Sequence, residues 1–179
     1  MEFSILYAIQ NLRNPVLDDF ILALTNIMGS YGQIWLIAGV VLCILKKTRK
    51  CGAAVLISYV LVFLVGQFGL KDLIARARPC HLDETVELLV TRPSSFSCPS
   101  THTAWAFAAA TSIFLYFRKS GTVVMAVAAL IGFSRMYLFV HFPTDVLLGA
   151  VLGIVLALIT VKVQQFYYKK KGVLLNEKS

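Results

Sequence analysis

The stretch from Ser134 to Asp145 carries an arginine, a histidine and an aspartate between two long apolar segments. Charged groups next to hydrocarbon are costly, and in membrane proteins they mark functional sites. Pro143 suits the first turn of a helix, which would place Asp145 at the positive end of the helix dipole. His141 precedes Asp145 by four residues, so a carboxylate–imidazole hydrogen bond would leave the second ring nitrogen free as a nucleophile. Arg135 ends the preceding apolar segment and could bind an anion that His141 attacks.

A second polar segment, Lys71–Pro79, follows another apolar stretch. Lys71 and Arg78 are seven residues apart, which predicts that both side chains leave one face of a helix and clamp an anion between them. By the same spacing Arg76 lies off that face, and we interpret it as solvated or bound to lipid headgroups. The alternative for the pair is two snorkelling bases at a helix end.

The third segment, Cys98-Pro99-Ser100-Thr101-His102, opens a further apolar stretch. A proline at the start of a helix predicts that the next N–H groups, those of Ser100, Thr101 and His102, point at an anion. The Ser100 hydroxyl would add a donor, and His102 could act as a general acid for a leaving oxygen. The alternative is an ordinary helix N-cap followed by a solvated histidine.

The amino-acid composition indicates that membrane-spanning helices hold these three polar segments in position. Of 179 residues, 58% are hydrophobic and the mean hydropathy is +0.76, which is typical of a polytopic membrane protein rather than a soluble domain. The net charge of +8 does not indicate nucleic-acid binding, because the basic residues are spread through loops between apolar spans. We predict an all-α membrane helix bundle of about six transmembrane helices, forming a single domain over residues 1–179. The predicted spans are residues 16–28, 33–45, 53–70, 103–117, 122–140 and 145–161.

Loop charges predict the orientation. If six helices span, one side receives most of the basic residues, so that side and both termini are predicted to be cytoplasmic. The other side keeps five basic residues and all three histidines, which predicts an extracytoplasmic, cationic site for an anionic substrate. Residues 1–30 would form N-terminal helices, residues 71–100 an extracytoplasmic loop region that caps the site, and residues 169–179 a cytoplasmic tail. The residues predicted on the cytoplasmic side are Arg13, Lys46, Lys47, Arg49, Lys50, Arg118, Lys119 and Lys169–Lys171.

The cysteines offer a possible disulfide. Cys80 and Cys98 each adjoin one of the polar segments on the predicted outer, oxidising side, so a bridge between them could staple the two ends of the loop. The alternative is that both are small apolar fillers. Cys43 and Cys51 flank the predicted cytoplasmic cluster and are expected to stay reduced. His81, in the loop, is interpreted as a solvated histidine.

Together the three segments resemble the signature of the type 2 phosphatidic acid phosphatase superfamily of membrane phosphatases. That signature is Lys, six residues, Arg-Pro; then Pro-Ser-Gly-His; then Ser-Arg, five residues, His, three residues, Asp. The first and third elements match at every fixed position, and the second matches except at Thr101, where the family usually has glycine. The resemblance extends from about Ala53 to the sixth predicted span.

The resemblance implies hydrolysis of a lipid phosphate or diphosphate at the outer membrane face, without a metal or another cofactor. His141 would attack phosphorus and form a phosphohistidine, and Asp145 would orient it. His102 would protonate the leaving oxygen and then activate the water that hydrolyses the intermediate. The phosphoryl oxygens would be held by cations and donors in place of a metal: Lys71, Arg78, Ser100, Arg135 and the N–H of Thr101.

Several substrates and one other class of function remain open from the sequence. Among lipids, undecaprenyl diphosphate is favoured, and phosphatidic acid and phosphatidylglycerophosphate are the alternatives. Thr101 adds a side chain beside the phosphate and is expected to affect this preference. A vestibule rich in basic residues would also suit a non-enzymatic anion channel or transporter, and a haloperoxidase-like vanadate enzyme is a third interpretation. The expected partners are the bilayer and its lipids in the plasma membrane, with no nucleic acid.

Overall fold

The computed structural model describes residues 1–170, so most of the tail predicted at 169–179 lies outside the described residues. Every regular element in the described chain is helical, which confirms the all-α prediction. In chain order the helices are α1 (Glu2–Gln10), α2 (Pro15–Met28), α3 (Gln33–Ile44), α4 (Arg49–Val62), a π-helix (Phe63–Leu70), α5 (Lys71–Ile74), α6 (Pro79–Leu82), α7 (Thr101–Tyr116), α8 (Arg118–Tyr137) and α9 (Pro143–Lys170).

Two helices begin at residues that are typical of helix N-termini. The Asn14 side chain accepts a hydrogen bond from the Leu17 N–H at 3.0 Å, with Pro15 in the first turn of α2, which is the preferred chemistry at a helix N-terminus. Likewise α9 begins at Pro143 and carries Asp145 in its first turn. The second start confirms the prediction for Pro143 and Asp145, and it fixes the carboxylate relative to the loop that precedes it.

Helix α7 is the centre of the bundle, where it contacts α4, α8 and α9. It packs closely on α9, because a Cβ on Gly153 would stand 2.2 Å from the Ala104 carbonyl oxygen. On the α4 side the buried Trp105 ring stacks on Tyr59, with 5.4 Å between centroids. This packing fixes the N-terminus of α7, which carries His102.

Fewer helices than predicted have the length and apolarity to cross a membrane. Within residues 1–170 they are Arg49–Leu82, Arg118–Tyr137 and Pro143–Lys170. The pair α2 and α3, bent by 54°, would add a fourth if it forms one broken span. Helix α7 has 16 residues, which is short of the ~20 that a span needs. The predicted count of six spans is therefore not confirmed.

The two N-terminal helices lie at the end of the bundle where α8 ends and α9 begins. Gln10 of α1 donates to the Tyr137 carbonyl at 2.9 Å, and Asp18 near the start of α2 accepts from the Tyr137 hydroxyl at 2.5 Å. Thr25, near the end of α2, accepts from Arg135 at 2.5 Å. Because both ends of α2 contact the same end of the bundle, α2 does not cross it.

The opposite end gathers the C-terminal part of α9 and the loop between α3 and α4. The Gln164 amide donates to the Lys50 carbonyl at 3.1 Å, and the Lys50 ammonium lies 4.9 Å from the centre of the Tyr168 ring. Helix α1 and the end of α9 lie at opposite ends of the bundle, so the prediction that both termini share one side of the membrane is not confirmed. Arg13 also departs from its predicted side, since it donates to the Glu87 carbonyl in the loop before α7.

Candidate active site

His141 lies in the loop between α8 and α9 and is almost fully buried. Its Nε2 is 3.1 Å from Nη1 of Arg78. An arginine only donates hydrogen bonds, so Nε2 must carry a lone pair and the ring hydrogen must be on Nδ1. The other ring nitrogen, Nδ1, faces Ser97 Oγ at 3.4 Å and Asp145 Oδ2 at 3.8 Å. The structure therefore holds the tautomer in which Nε2 can act as a nucleophile.

Burial, together with the neighbouring Arg78 and Lys71 charges, lowers the pKa of His141 to about 3. A histidine with a lowered pKa is neutral at neutral pH, since protonation would require acid well below its ordinary range. The His141 ring therefore needs no deprotonation step before it attacks an electrophile.

Asp145 is fully buried, and both of its carboxylate oxygens are occupied. Oδ2 accepts from the Ser97 hydroxyl at 2.5 Å and from the Phe142 N–H at 2.8 Å. Oδ1 accepts from Nη1 of Arg76 at 2.8 Å. The direct His141–Asp145 hydrogen bond that the spacing predicts is not present at 3.8 Å. Ser97 bonds the same oxygen instead, and such contacts are often long until substrate binds.

Three cationic side chains line one cavity of about 620 Å³, and two histidines, His102 and His141, line it with them. Lys71, Arg78 and Arg135 are each at most 5% exposed. No carboxylate lines this cavity among the residues that the structure describes. Buried cations without a facing carboxylate create a strong preference for an anion. The structure thus brings these three residues together at one cavity.

Lys71 and Arg78 line the same cavity, but they do not reach it from one helix face as their spacing predicts. Helix α5 ends at Ile74, and Ala75 has a left-handed conformation with φ of 47°. The two residues therefore do not share a helix face, and the prediction of a continuous helix between them was wrong. The reversed chain brings Arg78 back to the site, where its guanidinium donates to the Ser95 carbonyl at 2.7 Å.

His102 reaches the cavity from the first turn of α7. Its Nε2 is 3.0 Å from the Gly29 carbonyl oxygen, and a carbonyl only accepts, so Nε2 carries hydrogen. The Trp105 ring meets the imidazole edge-on at 5.9 Å. The turn between α2 and α3 thus fixes the tautomer of His102 and leaves Nδ1 as the nitrogen that can exchange a proton.

Ser100 and Thr101 differ in their position relative to the cavity. The Ser100 hydroxyl is fully buried against Thr103 Oγ1 at 2.9 Å, and its N–H donates to the Asp145 carbonyl at 3.0 Å. Ser100 does not line the cavity, so the structure does not bear out its predicted donors to phosphate. Thr101 does line the cavity, and its hydroxyl donates to Oε1 of Gln67 at 3.3 Å.

Three contributors to the site were missed from the sequence: Arg76, Ser97 and Gln67. Arg76 was interpreted as solvated because a continuous helix was assumed, whereas the break at Ala75 turns it onto Asp145. Ser97 and Gln67 carry no distinctive spacing. A signal for Gln67 was its polarity within an apolar segment one turn before Lys71, because polar groups at membrane depth are functional by default.

The cysteines are free thiols in the structure. Cys80 is fully buried among other apolar side chains, and Cys98 is also buried. The predicted disulfide is therefore not formed, and the alternative of apolar fillers agrees with their burial. His81 is exposed, in agreement with its interpretation as a solvated histidine.

The model of the PAP2 superfamily matches residues 50–169, which is more than half of the chain. An undecaprenyl-diphosphatase of Sulfolobus acidocaldarius is 30% identical over 140 residues, or 76% of this chain and 68% of that protein. The crystal structure of Aquifex aeolicus LpxE is similar with a TM-score of 0.72 and 32% identity, covering 90% of this chain and 94% of that one.

A PAP2-type phosphatidylglycerolphosphate phosphatase from Bacillus subtilis also has a similar crystal structure. Its TM-score is 0.70 at 28% identity, covering 98% of this chain and 86% of that chain. The matched region contains all three polar segments identified above, and the undecaprenyl-diphosphatase and the phosphatidylglycerolphosphate phosphatase are both phosphatases by name. The chain belongs to the PAP2 superfamily and is a membrane lipid phosphatase.

Proposed function

We propose that the protein hydrolyses undecaprenyl diphosphate to undecaprenyl phosphate and inorganic phosphate through a phosphohistidine on His141. The observation that carries this proposal is that His141 Nε2 holds a lone pair and lies 3.1 Å from Nη1 of Arg78, one of three buried cations that line the same cavity as His141. Those cations, Lys71, Arg78 and Arg135, would bind the terminal phosphoryl oxygens and stabilise the charge that grows on them in the transition state.

The reaction would proceed in two displacements. In the first, Nε2 of His141 bonds to the terminal phosphorus while the bond to the bridging oxygen breaks, and the electron pair leaves with undecaprenyl phosphate. Burial and the Arg135 charge lower the pKa of His102 to about 3, so the negative charge of the bound diphosphate would have to favour its protonated form. Protonated His102 would then give its Nδ1 proton to that oxygen. In the second, neutral His102 takes a proton from water, whose oxygen attacks phosphorus. The N–P bond breaks, its electron pair returns to Nε2, and inorganic phosphate is released.

Two observations support a diphosphate as the substrate. The Sulfolobus acidocaldarius relative, an undecaprenyl-diphosphatase, is 30% identical to the chain over 140 residues. Beside the cations the cavity also has neutral polar groups, including Gln67 and Thr101. Thr101 adjoins His102, so this pair lies next to the leaving group, where a diphosphate has a second phosphoryl group. Phosphatidylglycerophosphate is the second candidate, because the Bacillus subtilis phosphatase named for that lipid covers 98% of the chain.

The lipid chain would approach from the bilayer beside the π-helix. Leu64 and Phe68 are exposed on this helix, and Leu73 is 81% exposed on α5. These residues flank Gln67 and Lys71, so an apolar chain could lie outside the bundle while its headgroup enters the cavity. π-Helical turns often occur at functional sites.

The site is proposed to face the outside of the plasma membrane. Lys50 at one end of the bundle packs with the last turns of α9, and Lys46, Lys47 and Arg49 adjoin it in sequence. Such a cluster in a short loop favours the cytoplasm. The active site lies at the other end. With this orientation α1 would also be extracytoplasmic, contrary to the sequence expectation for the N-terminus.

Phosphate release by the purified protein in detergent, with a chelator present, tests the proposal. The panel contains undecaprenyl diphosphate, undecaprenyl phosphate, phosphatidic acid and phosphatidylglycerophosphate. We expect the highest kcat/KM with undecaprenyl diphosphate, because only this lipid places a second phosphoryl group beside Gln67 and Thr101. A higher value with phosphatidylglycerophosphate would replace the substrate but keep the mechanism. Loss of activity in chelator that added metal restores would contradict the metal-free mechanism.

Replacing Thr101 should change substrate preference more than rate. Thr101→Gly removes the hydroxyl that holds Gln67, and Thr101→Val removes it while keeping the side-chain shape. We expect both variants to lower the ratio of kcat/KM for undecaprenyl diphosphate over phosphatidic acid by about fivefold, the effect of one hydrogen bond. An unchanged ratio in both would show that Gln67 is not held for the substrate. A change in Thr101→Gly alone would assign the effect to side-chain volume.

A further inference from the structure

Arg76 belongs to the active site without lining its cavity. It lies behind Asp145, where its Nη1 donates to Asp145 Oδ1 at 2.8 Å and to the Thr144 hydroxyl at 2.7 Å. Its other terminal nitrogen, Nη2, donates to Glu2 Oε2 at 2.5 Å. The guanidinium therefore joins the first helix of the chain to the carboxylate that faces His141.

Charge explains why this arrangement matters to Asp145. A fully buried carboxylate is costly unless a cation and hydrogen bonds compensate it. Arg76 is the cation in direct contact with Asp145 among the described residues. It is itself 29% exposed and lies 4.1 Å from the centre of the Phe142 ring, over its face. Without a second partner, the long arginine side chain would have other conformations open to it.

Glu2 supplies that second partner and ties it to the loop that holds His141. Its Oε1 accepts from the Thr144 hydroxyl at 2.7 Å and from the Thr144 N–H at 3.3 Å. Burial disfavours the Glu2 carboxylate, yet the bonds from Thr144 and Arg76 outweigh it and lower the pKa of Glu2. The next residue, Phe3, packs edge-on against Phe142 at 5.2 Å.

We propose that Arg76 is a positioning residue for Asp145 and that Glu2, carried by α1, holds Arg76 in its position. The N-terminal helix then sets the rate of phosphoryl transfer without contacting the substrate. This inference rests on the proposed phosphohistidine mechanism, in which Asp145 stabilises His141 as its ring becomes positively charged. It assigns a role to an arginine outside the three polar motifs and to a residue at the start of the chain.

The position of Arg76 outside the cavity separates this role from substrate binding. Loss of a cavity cation such as Lys71 or Arg78 should raise KM, because these residues face the phosphoryl group. Loss of Arg76 should instead lower kcat with little change in KM, because only the orientation and charge balance of Asp145 change. A purely structural role would not produce this difference.

Steady-state kinetics of Arg76→Met, Arg76→Lys and Glu2→Gln test the inference. We expect Arg76→Met to lower kcat by about 10- to 100-fold, as the loss of an orienting partner does at other sites. Arg76→Lys should recover part of this loss, because it keeps the charge. Glu2→Gln should lower kcat by about threefold to fivefold, the size of effect that a partly exposed ion pair carries.

Arg92→Met and Glu84→Gln are matched controls. These residues form another ion pair at the same end of the bundle, at 3.2 Å, outside the catalytic network. We expect wild-type kcat and KM from both. Thermal unfolding in detergent accompanies each variant, so that kinetic values are compared only between folded proteins. Should Arg76→Met fail to fold, Glu2→Gln still tests the inference, because it removes one charge from a partly exposed residue.

The double variant Glu2→Gln with Arg76→Met decides whether Glu2 acts through Arg76. We expect the kcat of the double variant to equal that of Arg76→Met alone, because Glu2 has nothing left to position. Multiplicative effects, or equal changes in KM and kcat, would overturn the inference. Failure of the mechanism itself would be seen separately, as full activity of His141→Ala in the same assay.

Discussion

We expect His141→Ala to abolish phosphate release from every lipid in the panel, by about 10⁴-fold or more, on the precedent of enzymes that lose a central histidine. The reason is that no phosphorus–nitrogen bond can form once Nε2 is gone. The Lys71 and Arg78 side chains remain, so the variant should still bind lipid phosphate. Initial rates of phosphate release from undecaprenyl diphosphate, with binding measured in parallel, check both expectations.

His81→Ala is the matched control for this variant. It removes an exposed histidine from the same end of the bundle, and we expect wild-type kinetics. A covalent intermediate provides a second readout: protein quenched during turnover of substrate labelled in the terminal phosphate should carry label in the wild type and none in His141→Ala. Retained turnover in His141→Ala would exclude the nucleophile assignment whatever happens to the label.

The sequence was sufficient to predict the parts of the site that lie within one local motif. Arg135 and His141 line one cavity, with Asp145 close to His141, because α8 ends just after Arg135 and α9 begins at Pro143, and both boundaries have local signals. The short loop between them leaves the chain few alternatives. The same holds for His102, which the start of α7 places on the cavity.

Contacts between distant segments were not predictable in this way. Ser97 approaches His141 across 44 residues, and Glu2 approaches Arg76 across 74. Neither pair has a spacing rule, because the contact depends on how α1 and the loop before α7 pack onto the bundle. The reversal at Ala75 is a further example: it requires a positive φ at a residue type that rarely adopts one.

The predicted orientation of the N-terminus depends on how many spans are counted. The apolar stretch of α2 was counted as a span, although its 14 residues are too few to cross ~30 Å of hydrocarbon even when upright. Counting α2 as a crossing places the N-terminus on the same side as the C-terminal tail, whereas α1 lies at the end of the bundle that holds the active site. The consequence is functional, because α1 at the site end is what allows Glu2 to reach Arg76.

Asp145→Asn is expected to have the second-largest effect, lowering kcat by about 10³- to 10⁴-fold. The change keeps the shape of the side chain but removes the charge that stabilises His141 during phosphoryl transfer. It also creates a conflict of hydrogen bonds, because both oxygens of Asp145 accept from donors: Arg76 on one, the Phe142 N–H and Ser97 on the other. An amide has a single oxygen, so its NH₂ must face a donor in either orientation.

The kinetic pattern distinguishes this role from substrate binding. Asp145 does not line the cavity, so KM for undecaprenyl diphosphate should stay near the wild-type value while kcat falls. Asp83→Asn is the matched control, because Asp83 is a loop aspartate at the same end that bonds Tyr7 and Thr85, and it should keep full activity. If Asp145→Asn retained kcat within about tenfold, a folded protein would have transferred phosphate without a charged partner for the histidine. The orienting role of Asp145, and with it that of Arg76, would then be wrong, because an electrostatic contribution of this kind cannot survive loss of its charge.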